Sequence, residues 1–249
     1  MHAQDWLTIR PIAHRGLHDL AAGVAENSPT AALNAIEGRF GIECDVQLSA
    51  DGEAMVFHDF NLDRLTAATG PVAARKAAEL AAIGLKGSSD RIPTLDAFLD
   101  LIGGRTPLVI EVKSRFDGDL RLTRRTAEVV NARRDQPIVL KSFDPTIVAA
   151  LRELAPGFSR GIVAMSAYEY GDYAAMSPQQ KHALANLLHF ETSRPDFVSW
   201  KVGDLPCAAP FLCRKALGLP LITWTVRTPE ERARAAEHAD QMVFEGFRP

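Results

Sequence analysis

The seven residues Gly41-Ile42-Glu43-Cys44-Asp45-Val46-Gln47 combine the pattern of a buried β-strand with two acidic side chains. Alternate side chains of a strand share a face, so Glu43 and Asp45 project together while Cys44 points to the opposite side. Such a pair is ordinarily two surface acids on an edge strand, paired with Arg or Lys. The flanking apolar residues favour a buried strand instead, where unpaired carboxylates are costly and require a cation. The pattern therefore predicts a strand that carries part of a charged site.

A second strand of the same kind ends in Glu111-Val112-Lys113, where Glu111 and Lys113 share a face. Glu111 can join Glu43 and Asp45 around one ion, and the Lys113 ammonium can reach a phosphate oxygen. A simple ion pair between Glu111 and Lys113 is the alternative. Because all three candidate ligands offer oxygen atoms, the set favours one divalent cation, Mg²⁺, Ca²⁺ or Mn²⁺, over zinc.

Two histidines accompany these strands. His14 precedes Arg15 where the chain leaves its first predicted strand, and His58 precedes Asp59. Imidazole titrates near neutral pH, so two histidines on opposite sides of a phosphorus atom can take one proton and return another. Considered singly, each is more often a structural histidine. Since Arg15 adds a guanidinium suited to phosphate oxygens, the whole set predicts a metal-assisted phosphoester site.

Short apolar runs alternate with longer amphipathic stretches along the chain, the pattern of parallel strands covered by helices. Such an alternation fits a (β/α)8 barrel, and a doubly wound open sheet would give a similar one. The site residues fall at the ends of the first three strands, which favours the barrel. We predict an α/β fold, a (β/α)8 TIM barrel in one domain over residues 1–249. The eight predicted strands are Pro11–His14, Gly41–Gln47, Leu108–Lys113, Ile138–Ser142, Arg160–Ala164, Phe197–Trp200, Leu221–Val226 and Gln241–Phe244.

Several predicted helices begin with a capping side chain followed by proline, the favoured residue at the first helical position. Thr228 also has Glu231 three positions later, which makes a capping box and predicts a helix over Pro229 to Ala239. The four capped starts are Ser28-Pro29, Asp144-Pro145, Ser177-Pro178 and Thr228-Pro229.

The strand pattern breaks after the second strand, between Ala50 and Arg91. A turn at Asp51-Gly52 and an extended run over Ala54 to Phe57 precede a polar, alanine-rich passage. We interpret residues 50–91 as a small, lid-like insertion. The last predicted strand has no helix after it, so we expect the segment from Asp5 to Ile9 to cover that side of the barrel or the barrel floor.

Acidic and basic residues nearly balance, since 28 Lys and Arg face 31 Asp and Glu for a net charge of -3. This balance excludes an overall excess of positive charge that would attract nucleic acid non-specifically. A phosphate ligand must therefore be bound by a local cluster of basic residues. The three cysteines lack the spacing of a disulfide framework or zinc site and fit a reducing compartment. No secretion signal or spanning apolar stretch is evident, so we expect a cytoplasmic protein without stable membrane insertion.

Short motifs that include the candidate site residues are spread along the chain. They are His14-Arg15-Gly16, Glu26-Asn27-Ser28, Ile42-Glu43-Cys44-Asp45-Val46, Asp51-Gly52, His58-Asp59, Leu62-Asp63-Arg64-Leu65-Thr66, Ile92-Pro93-Thr94-Leu95 and Glu111-Val112-Lys113. Together they resemble the motifs of the glycerophosphodiester phosphodiesterases. Weaker similarity continues in Ser142-Phe143 and Trp224-Thr225-Val226, so the resemblance spans nearly the whole chain.

The resemblance implies a barrel with a small insertion and a divalent metal. It implies hydrolysis of glycerophosphodiesters, such as glycerophosphocholine or glycerophosphoethanolamine, to sn-glycerol 3-phosphate and an alcohol. Attack by the 2-hydroxyl of the substrate and attack by water both remain open. By position, the resemblance assigns acid and base roles to His14 and His58, metal ligation to Glu43, Asp45 and Glu111, and phosphate binding to Arg15 and Lys113.

The chain departs from the family pattern at two places. Ala25 stands where proline usually precedes Glu-Asn, and Phe244-Glu245-Gly246-Phe247-Arg248-Pro249 replaces the usual Thr-Asp-x-Pro ending. The second change puts the pocket for the alcohol group in doubt. Trp224 is a candidate for lining that pocket, although an aromatic residue on a barrel strand more often packs in the core.

Two alternative functions remain open. A lysophospholipase D would use the same chemistry at a membrane surface and would need an apolar mouth or anchor. Phe211, Leu212 and Leu217 offer apolar material, but we interpret them as an ordinary barrel-facing helix. A non-catalytic phosphodiester-binding protein would have lost a histidine or an acidic ligand. All candidate positions hold suitable residues, which favours the enzyme.

Overall fold

The computed structural model describes residues 6–169 and 171–249, and its strands form one sheet. All eight strands predicted from the sequence are present, with ends within one residue of the prediction. The remaining strand, β3, occupies the extended run predicted over Ala54 to Phe57. The strands are β1 (Ile12–Ala13), β2 (Gly41–Leu48), β3 (Ala54–Val56), β4 (Leu108–Val112), β5 (Ile138–Ser142), β6 (Arg160–Ala164), β7 (Phe197–Lys201), β8 (Leu221–Val226) and β9 (Gln241–Phe244).

Eight parallel strands close into a barrel. Their order is β1-β9-β8-β7-β6-β5-β4-β2, and β1 also pairs with β2. Ile12 of β1 lies opposite Val243 on one side and Gly41 on the other. The sheet therefore has no open edge among these strands, which confirms the barrel and rules out the doubly wound sheet. β3 lies outside the barrel and runs antiparallel to β2.

Each connection between consecutive barrel strands carries at least one α-helix, as the alternation predicted. β2 and β4 are joined through the insertion, which holds the short helix α2. The described helices are α1 (Pro29–Glu37), α2 (Ala77–Ala81), α3 (Leu95–Ile102), α4 (Arg121–Asn131), α5 (Pro145–Leu154), α6 (Pro178–Ala185), α7 (Phe190–Ser193), α8 (Ala208–Lys215) and α9 (Pro229–His238).

The four predicted helix caps are confirmed. The Ser28 hydroxyl accepts a hydrogen bond from the Ala31 amide at 3.1 Å. Asp144 and Ser177 cap α5 and α6 in the same way, and Ser177 completes a capping box. Thr228 caps α9 and forms the predicted box with Glu231. These caps satisfy amide groups that a helix leaves without partners at its start, so they fix where each helix leaves the barrel rim.

The barrel floor is apolar and lies directly beneath the charged positions. Val109, Val139 and Ile222 point inward two residues before Glu111, Lys141 and Trp224. Leu7 is 2% exposed and packs into this layer, and Trp6 packs beside it. The segment after Asp5 therefore covers the floor, one of its two expected places, while Asp5 itself lies outside the described residues.

The insertion over residues 50–91 has an apolar cluster of its own. Met55, Phe57, Leu62 and Leu80 are buried there, and Ala25 packs against them from outside the segment. The predicted turn is present, since Gly52 has a φ of 89° and the Ser49 amide donates to the Glu53 carbonyl at 2.9 Å. The segment is therefore a packed substructure that carries His58 to the barrel mouth.

One prediction about the outer helices is wrong. Phe211, Leu212 and Leu217 are 57%, 55% and 57% exposed and do not face the barrel. α8 buries Pro210 and Cys213 instead, because a helix of eight residues presents only one narrow face to the sheet. Among the described helices, none is both long enough and apolar enough to span a bilayer.

Candidate active site

Three buried carboxylates converge at the carboxyl end of the barrel. Glu43 and Asp45 come from β2 and Glu111 from β4, and they are 1%, 1% and 4% exposed. Asp45 lies opposite Glu111 in the strand register. One carboxylate oxygen from each residue lies within 4.8 Å of the others. Three hard oxygen donors at this spacing fit a Mg²⁺, Ca²⁺ or Mn²⁺ ion.

Two lysines lie among these carboxylates. The Lys113 ammonium is 2.8 Å from Asp45 Oδ1 and 2.6 Å from Glu111 Oε1, so the ion pair considered as an alternative is present. The Lys141 ammonium lies 2.9 Å from Glu43 Oε1 and 3.2 Å from Glu111 Oε2. Burial alone would raise the pKa of Asp45 and Glu111, but the charge of Lys113 lowers both pKa values overall. The two groups are therefore held as carboxylates.

Arg15 ties the first strand to the acidic cluster. Its amide donates to Glu43 Oε2 at 3.1 Å, and its guanidinium lies 3.5 Å from Asp45 Oδ2. The guanidinium donates a hydrogen bond to Glu26 Oε1 at 2.6 Å. The adjoining Asn27 donates from its side-chain amide to Asp45 Oδ2 at 2.9 Å. The Glu26-Asn27 motif thus orients both Arg15 and one candidate metal ligand.

Gly16 allows this turn to form. Its φ is +78°, a conformation that residues with a Cβ rarely adopt. A Cβ added at this position would lie 2.9 Å from the backbone carbon of Ala31 in α1. The turn glycine therefore lets the loop after β1 pass close to α1 and places His14 and Arg15 at the barrel mouth.

Each candidate acid or base histidine is held by a carboxylate. His14 Nδ1 donates to Glu245 Oε2 at 2.6 Å, and His58 Nδ1 donates to Asp59 Oδ1 at 2.7 Å. Burial would raise the pKa of Glu245, but its hydrogen bond with His14 and the charges of His14 and Arg227 lower this pKa to about 2. With Nδ1 engaged in this way, Nε2 on the far side of each ring is left for proton transfer.

Arg64 links the two halves of the site. Its guanidinium makes a bidentate contact with the Asp59 carboxylate, in which Nε and Nη2 donate hydrogen bonds at 2.7 and 2.8 Å. The same guanidinium donates twice to Glu26, each time at 2.8 Å. Since Glu26 also binds Arg15, a continuous ionic chain runs from Arg15 through Glu26, Arg64 and Asp59 to His58. Paired fork contacts of this kind fix geometry as well as charge.

The predicted site residues meet at one cavity of about 250 Å³. Glu43 adjoins this cavity through its contact with Lys141. Seven of the eight predicted residues line the cavity directly: His14, Arg15, Asp45, His58, Glu111, Lys113 and Trp224.

A second cavity of about 270 Å³ shares His58, Glu111 and Lys113 with the first. Its wall includes five large aromatic side chains, those of Phe60, Phe116, Phe143, Tyr173 and Trp224. Trp224 borders both cavities, and its ring meets Phe143 edge-on at a centroid distance of 5.5 Å. The Trp224 indole also donates to the Ser199 carbonyl at 3.0 Å. Trp224 therefore packs in the barrel and lines the site at the same time.

Sequence reasoning did not identify Lys141 or Glu245 as parts of the site. Lys141 lies in a predicted strand beside Glu111, and the alternation of side chains used for Glu43 and Asp45 would have pointed it inward. Glu245 was noticed as part of an unusual ending, but its contact with His14 joins residues 231 positions apart. That contact exists because the barrel closes between β1 and β9.

Comparisons with known proteins agree with this architecture. The chain is 21% identical to an Oleispira antarctica phosphodiesterase, with a TM-score of 0.76 over 96% of this chain and 94% of that one. That structure is a complex with the product sn-glycerol-3-phosphate. A glycerophosphoryl diester phosphodiesterase structure from Silicibacter pomeroyi, described as putative, has a TM-score of 0.75 at 24% identity, over 95% of this chain and 89% of that one. At sequence identities this low, the structural similarity shows a shared fold only.

The family follows from a family model, and sequence relatives agree with it. A glycerophosphodiester phosphodiesterase of Caldanaerobacter subterraneus subsp. tengcongensis is 32% identical over 161 residues, which are 61% of this chain and 65% of that protein. A Bacillus subtilis protein described as a putative glycerophosphodiester phosphodiesterase is 25% identical over 90% of this chain and 88% of its own length. The family model described as glycerophosphoryl diester phosphodiesterase matches residues 14–244. The chain belongs to the glycerophosphoryl diester phosphodiesterase family.

Proposed function

We propose that this chain hydrolyses glycerophosphodiesters, such as glycerophosphocholine or glycerophosphoethanolamine, to sn-glycerol 3-phosphate and an alcohol. The observation that carries the proposal is one cavity lined by two carboxylate-held histidines, five lysine and arginine residues and members of a buried acidic triad. Few reactions other than phosphodiester cleavage need all of these groups together. The family supports the reaction class, and the product held by the Oleispira antarctica phosphodiesterase supports the substrate class.

Glu43, Asp45 and Glu111 would hold one divalent cation, for which Mg²⁺ and Ca²⁺ are the first candidates and Mn²⁺ the third. When bound, such an ion supplies charge that stabilises oxygens of the reacting phosphoryl group. The carboxylates come from two adjacent strands of the rigid barrel, so their spacing is set before the ion arrives. Asn27 holds Asp45 in the same orientation.

His14 and His58 act as the acid and base pair. One imidazole takes the proton of the attacking oxygen, and the other protonates the oxygen of the departing alcohol, a contribution typically worth about 10²–10⁴-fold in rate. Glu245 and Asp59 orient the rings and stabilise the protonated imidazole in turn. This pairing serves attack by water and attack by a hydroxyl of the substrate equally well.

Arg15 and Lys113 bind the phosphate oxygens. Both line the cavity, and both already lie against the acidic cluster where the phosphate must dock. The planar guanidinium suits two oxygens of one phosphate, whereas the ammonium acts as a compact point charge. An incoming diester anion replaces part of the contact that Lys113 now makes with Glu111.

The alcohol group enters the second cavity, where Trp224, Phe143 and Tyr173 form the wall. A trimethylammonium group over these rings gains cation–π attraction, and a small apolar alcohol gains burial. The volume of this second cavity, about 270 Å³, suits a small head group. The partner is therefore a small molecule. We place the reaction in the cytoplasm, which the free cysteines Cys44, Cys207 and Cys213 support.

The test is release of glycerol 3-phosphate from glycerophosphocholine by metal-stripped protein, followed in a coupled dehydrogenase assay. Activity should return with Mg²⁺, Ca²⁺ or Mn²⁺ and should fall by roughly 100-fold or more in His14→Asn and Glu43→Gln. Lys181→Gln, which removes a surface ion pair with Glu169, serves as the control. Full activity in the stripped protein, or in Glu43→Gln, would overturn the metal assignment.

A second candidate function is lysophospholipase D activity at a membrane surface. The exposed Phe211, Leu212 and Leu217 favour it, because such side chains can enter a lipid interface. Co-sedimentation with phosphatidylcholine vesicles separates the two candidates when wild type is compared with Phe211→Ser. Binding that Phe211→Ser loses, with faster release of choline from lysophosphatidylcholine than from glycerophosphocholine, would favour the lipid substrate.

A further inference from the structure

Lys141 is a buried cation that the proposed acid and base steps do not use. Its side chain is 3% exposed and its ammonium contacts Glu43 at 2.9 Å and Glu111 at 3.2 Å. In the strand register Lys141 lies directly beside Glu111, which in turn lies beside Asp45. The side chain therefore projects into the barrel at the same level as the acidic triad. Its position is fixed by the sheet.

The ammonium of Lys141 competes for the oxygens that a metal ion would use. Lys113 also touches the triad and, like Lys141, lines the cavity, but its side chain is 14% exposed. Lys141 is far less exposed and stays against Glu43 and Glu111. A divalent cation bound to the triad must therefore share these two carboxylates with a fixed positive charge a few ångströms away.

Two effects of Lys141 on the metal oppose each other. The ammonium positions the carboxylates, which favours binding of an ion. It also repels that ion, and the product of a single and a double charge makes this repulsion twice that between two unit charges. The triad residues are already held by Arg15, Asn27 and Lys113, so the positioning effect of Lys141 is small. Repulsion should prevail.

We propose that Lys141 is a built-in counter-cation of the acidic triad, which weakens divalent-metal binding and strengthens binding of the anionic phosphate. The proposal rests on the proposed function, in which the triad holds the metal. The charges support it. Arg15 is balanced by its partner Glu26, and the three negative charges of the triad are exceeded by one positive charge when Lys113, Lys141 and one divalent ion are present. A phosphodiester anion restores neutrality. Without Lys141 the loaded site is neutral before the substrate arrives.

The experiment measures Mn²⁺ binding to metal-stripped protein from the electron paramagnetic resonance signal of the free ion. Lys141→Gln should bind Mn²⁺ roughly tenfold more tightly or better, whereas Lys141→Arg, which keeps the charge, should stay close to wild type. In the Mn²⁺-loaded protein, Lys141→Gln should bind sn-glycerol 3-phosphate roughly tenfold more weakly. Opposite shifts in the two affinities are not expected from general damage to the site.

Controls separate this proposal from the proposed function. Lys141→Met, which keeps the length of the side chain, repeats the test if Lys141→Gln does not fold, and Lys181→Gln should change neither affinity. Unchanged or weaker Mn²⁺ binding in Lys141→Gln, with binding lost in Glu43→Gln, would overturn the role of Lys141 and leave the triad as the metal site. Wild-type Mn²⁺ affinity in Glu43→Gln would overturn both.

Discussion

At the scale of single residues, the contact between His14 and Glu245 changes how the end of the chain is understood. Glu245 lies in the segment that replaces the usual Thr-Asp-x-Pro motif of the family. From the sequence alone, this replacement suggested a reshaped pocket for the alcohol group. In the structure Glu245 instead accepts a hydrogen bond from His14 Nδ1 at 2.6 Å. Arg227 lies 3.0 Å from the same carboxylate and balances its charge. The replacement therefore keeps a carboxylate behind one of the two catalytic candidates.

Glu245→Gln should lower kcat by about 10–100-fold and leave KM within about threefold, because the carboxylate orients and stabilises the histidine without touching the substrate. Steady-state kinetics with glycerophosphocholine measure both constants. Glu237→Gln is the matched control, since Glu237 is 75% exposed on α9. A kcat equal to that of wild type would show that His14 does not depend on this contact.

Glu245 also predicts a pH dependence of stability. Its pKa is lowered from 4.5 to about 2 in the folded protein, so its contribution to stability is present above pH 4.5. That contribution is lost as the pH falls from 4.5 through about 2. The difference in unfolding free energy between wild type and Glu245→Gln, from urea titrations, should therefore shrink over this range. A difference that grows on acidification would contradict the pairing.

At the scale of elements, three adjacent strands supply the charged centre of the site, while the loop after β1, the insertion and β8 supply the two histidines, Arg15 and Trp224. Asp45, Glu111 and Lys141 lie side by side on β2, β4 and β5. Parallel strands buried on both faces are continuous apolar runs, so their positions could be predicted closely from sequence. The partners of the insertion could not, because Arg64 meets Glu26 across 38 residues of chain. Such a contact depends on how the insertion folds back over the barrel.

Arg64→Gln should lower kcat/KM by about tenfold, because it breaks the fork that joins Asp59 to Glu26. Arg64→Lys should recover little, since an ammonium cannot hold both carboxylates in two-point contacts. Arg75→Gln, a change in the same segment outside this network, should leave kcat/KM unchanged. If Arg64→Lys equals wild type, a single positive charge suffices and the fork geometry has no role.

The outer helices show where sequence reasoning failed. Phe211 and Leu212 are apolar residues within a helix, and we expected them to face the barrel. α8 is short and buries Pro210 and Cys213 instead. The apolar residues of so short a helix define no clear stripe, so its buried face could not be chosen from the sequence. The four helices that begin with a cap and proline, α1, α5, α6 and α9, start where the sequence predicted.

At the scale of the whole molecule, the apolar layer that stabilises the barrel and the charged layer that forms the candidate site lie at different levels of the barrel. The apolar floor around Ile12, Val139 and Ile222 lies beneath the charged layer, and Leu7 closes it from below. The strand pattern and the placement of Glu43 and Glu111 were enough to predict the barrel. The pairing of β1 with β9 could only be inferred from that fold class, because no local signal joins segments at the two ends of the chain.

Leu7→Ala should reduce the free energy of unfolding by about 2–4 kcal/mol, as expected for a buried leucine that leaves a cavity. Its kcat should remain near that of wild type, because Leu7 does not line the cavity that holds the histidines and reaches it only through the layer on which Trp224 packs. Urea unfolding and steady-state kinetics give the two values. Ile9→Ala, at a position 66% exposed, is the control. An unchanged unfolding free energy would show that this segment does not close the floor.

The most direct measurement is a phosphorus-31 NMR time course of glycerophosphoethanolamine with the Mg²⁺-loaded protein. We predict that the phosphodiester resonance disappears and a phosphomonoester resonance of sn-glycerol 3-phosphate replaces it, at a rate that falls when the protein is stripped of metal. A phosphodiester resonance that persists with Mg²⁺, Ca²⁺ and Mn²⁺ in turn would show that the acidic triad and the two histidines do not hydrolyse this class of diester.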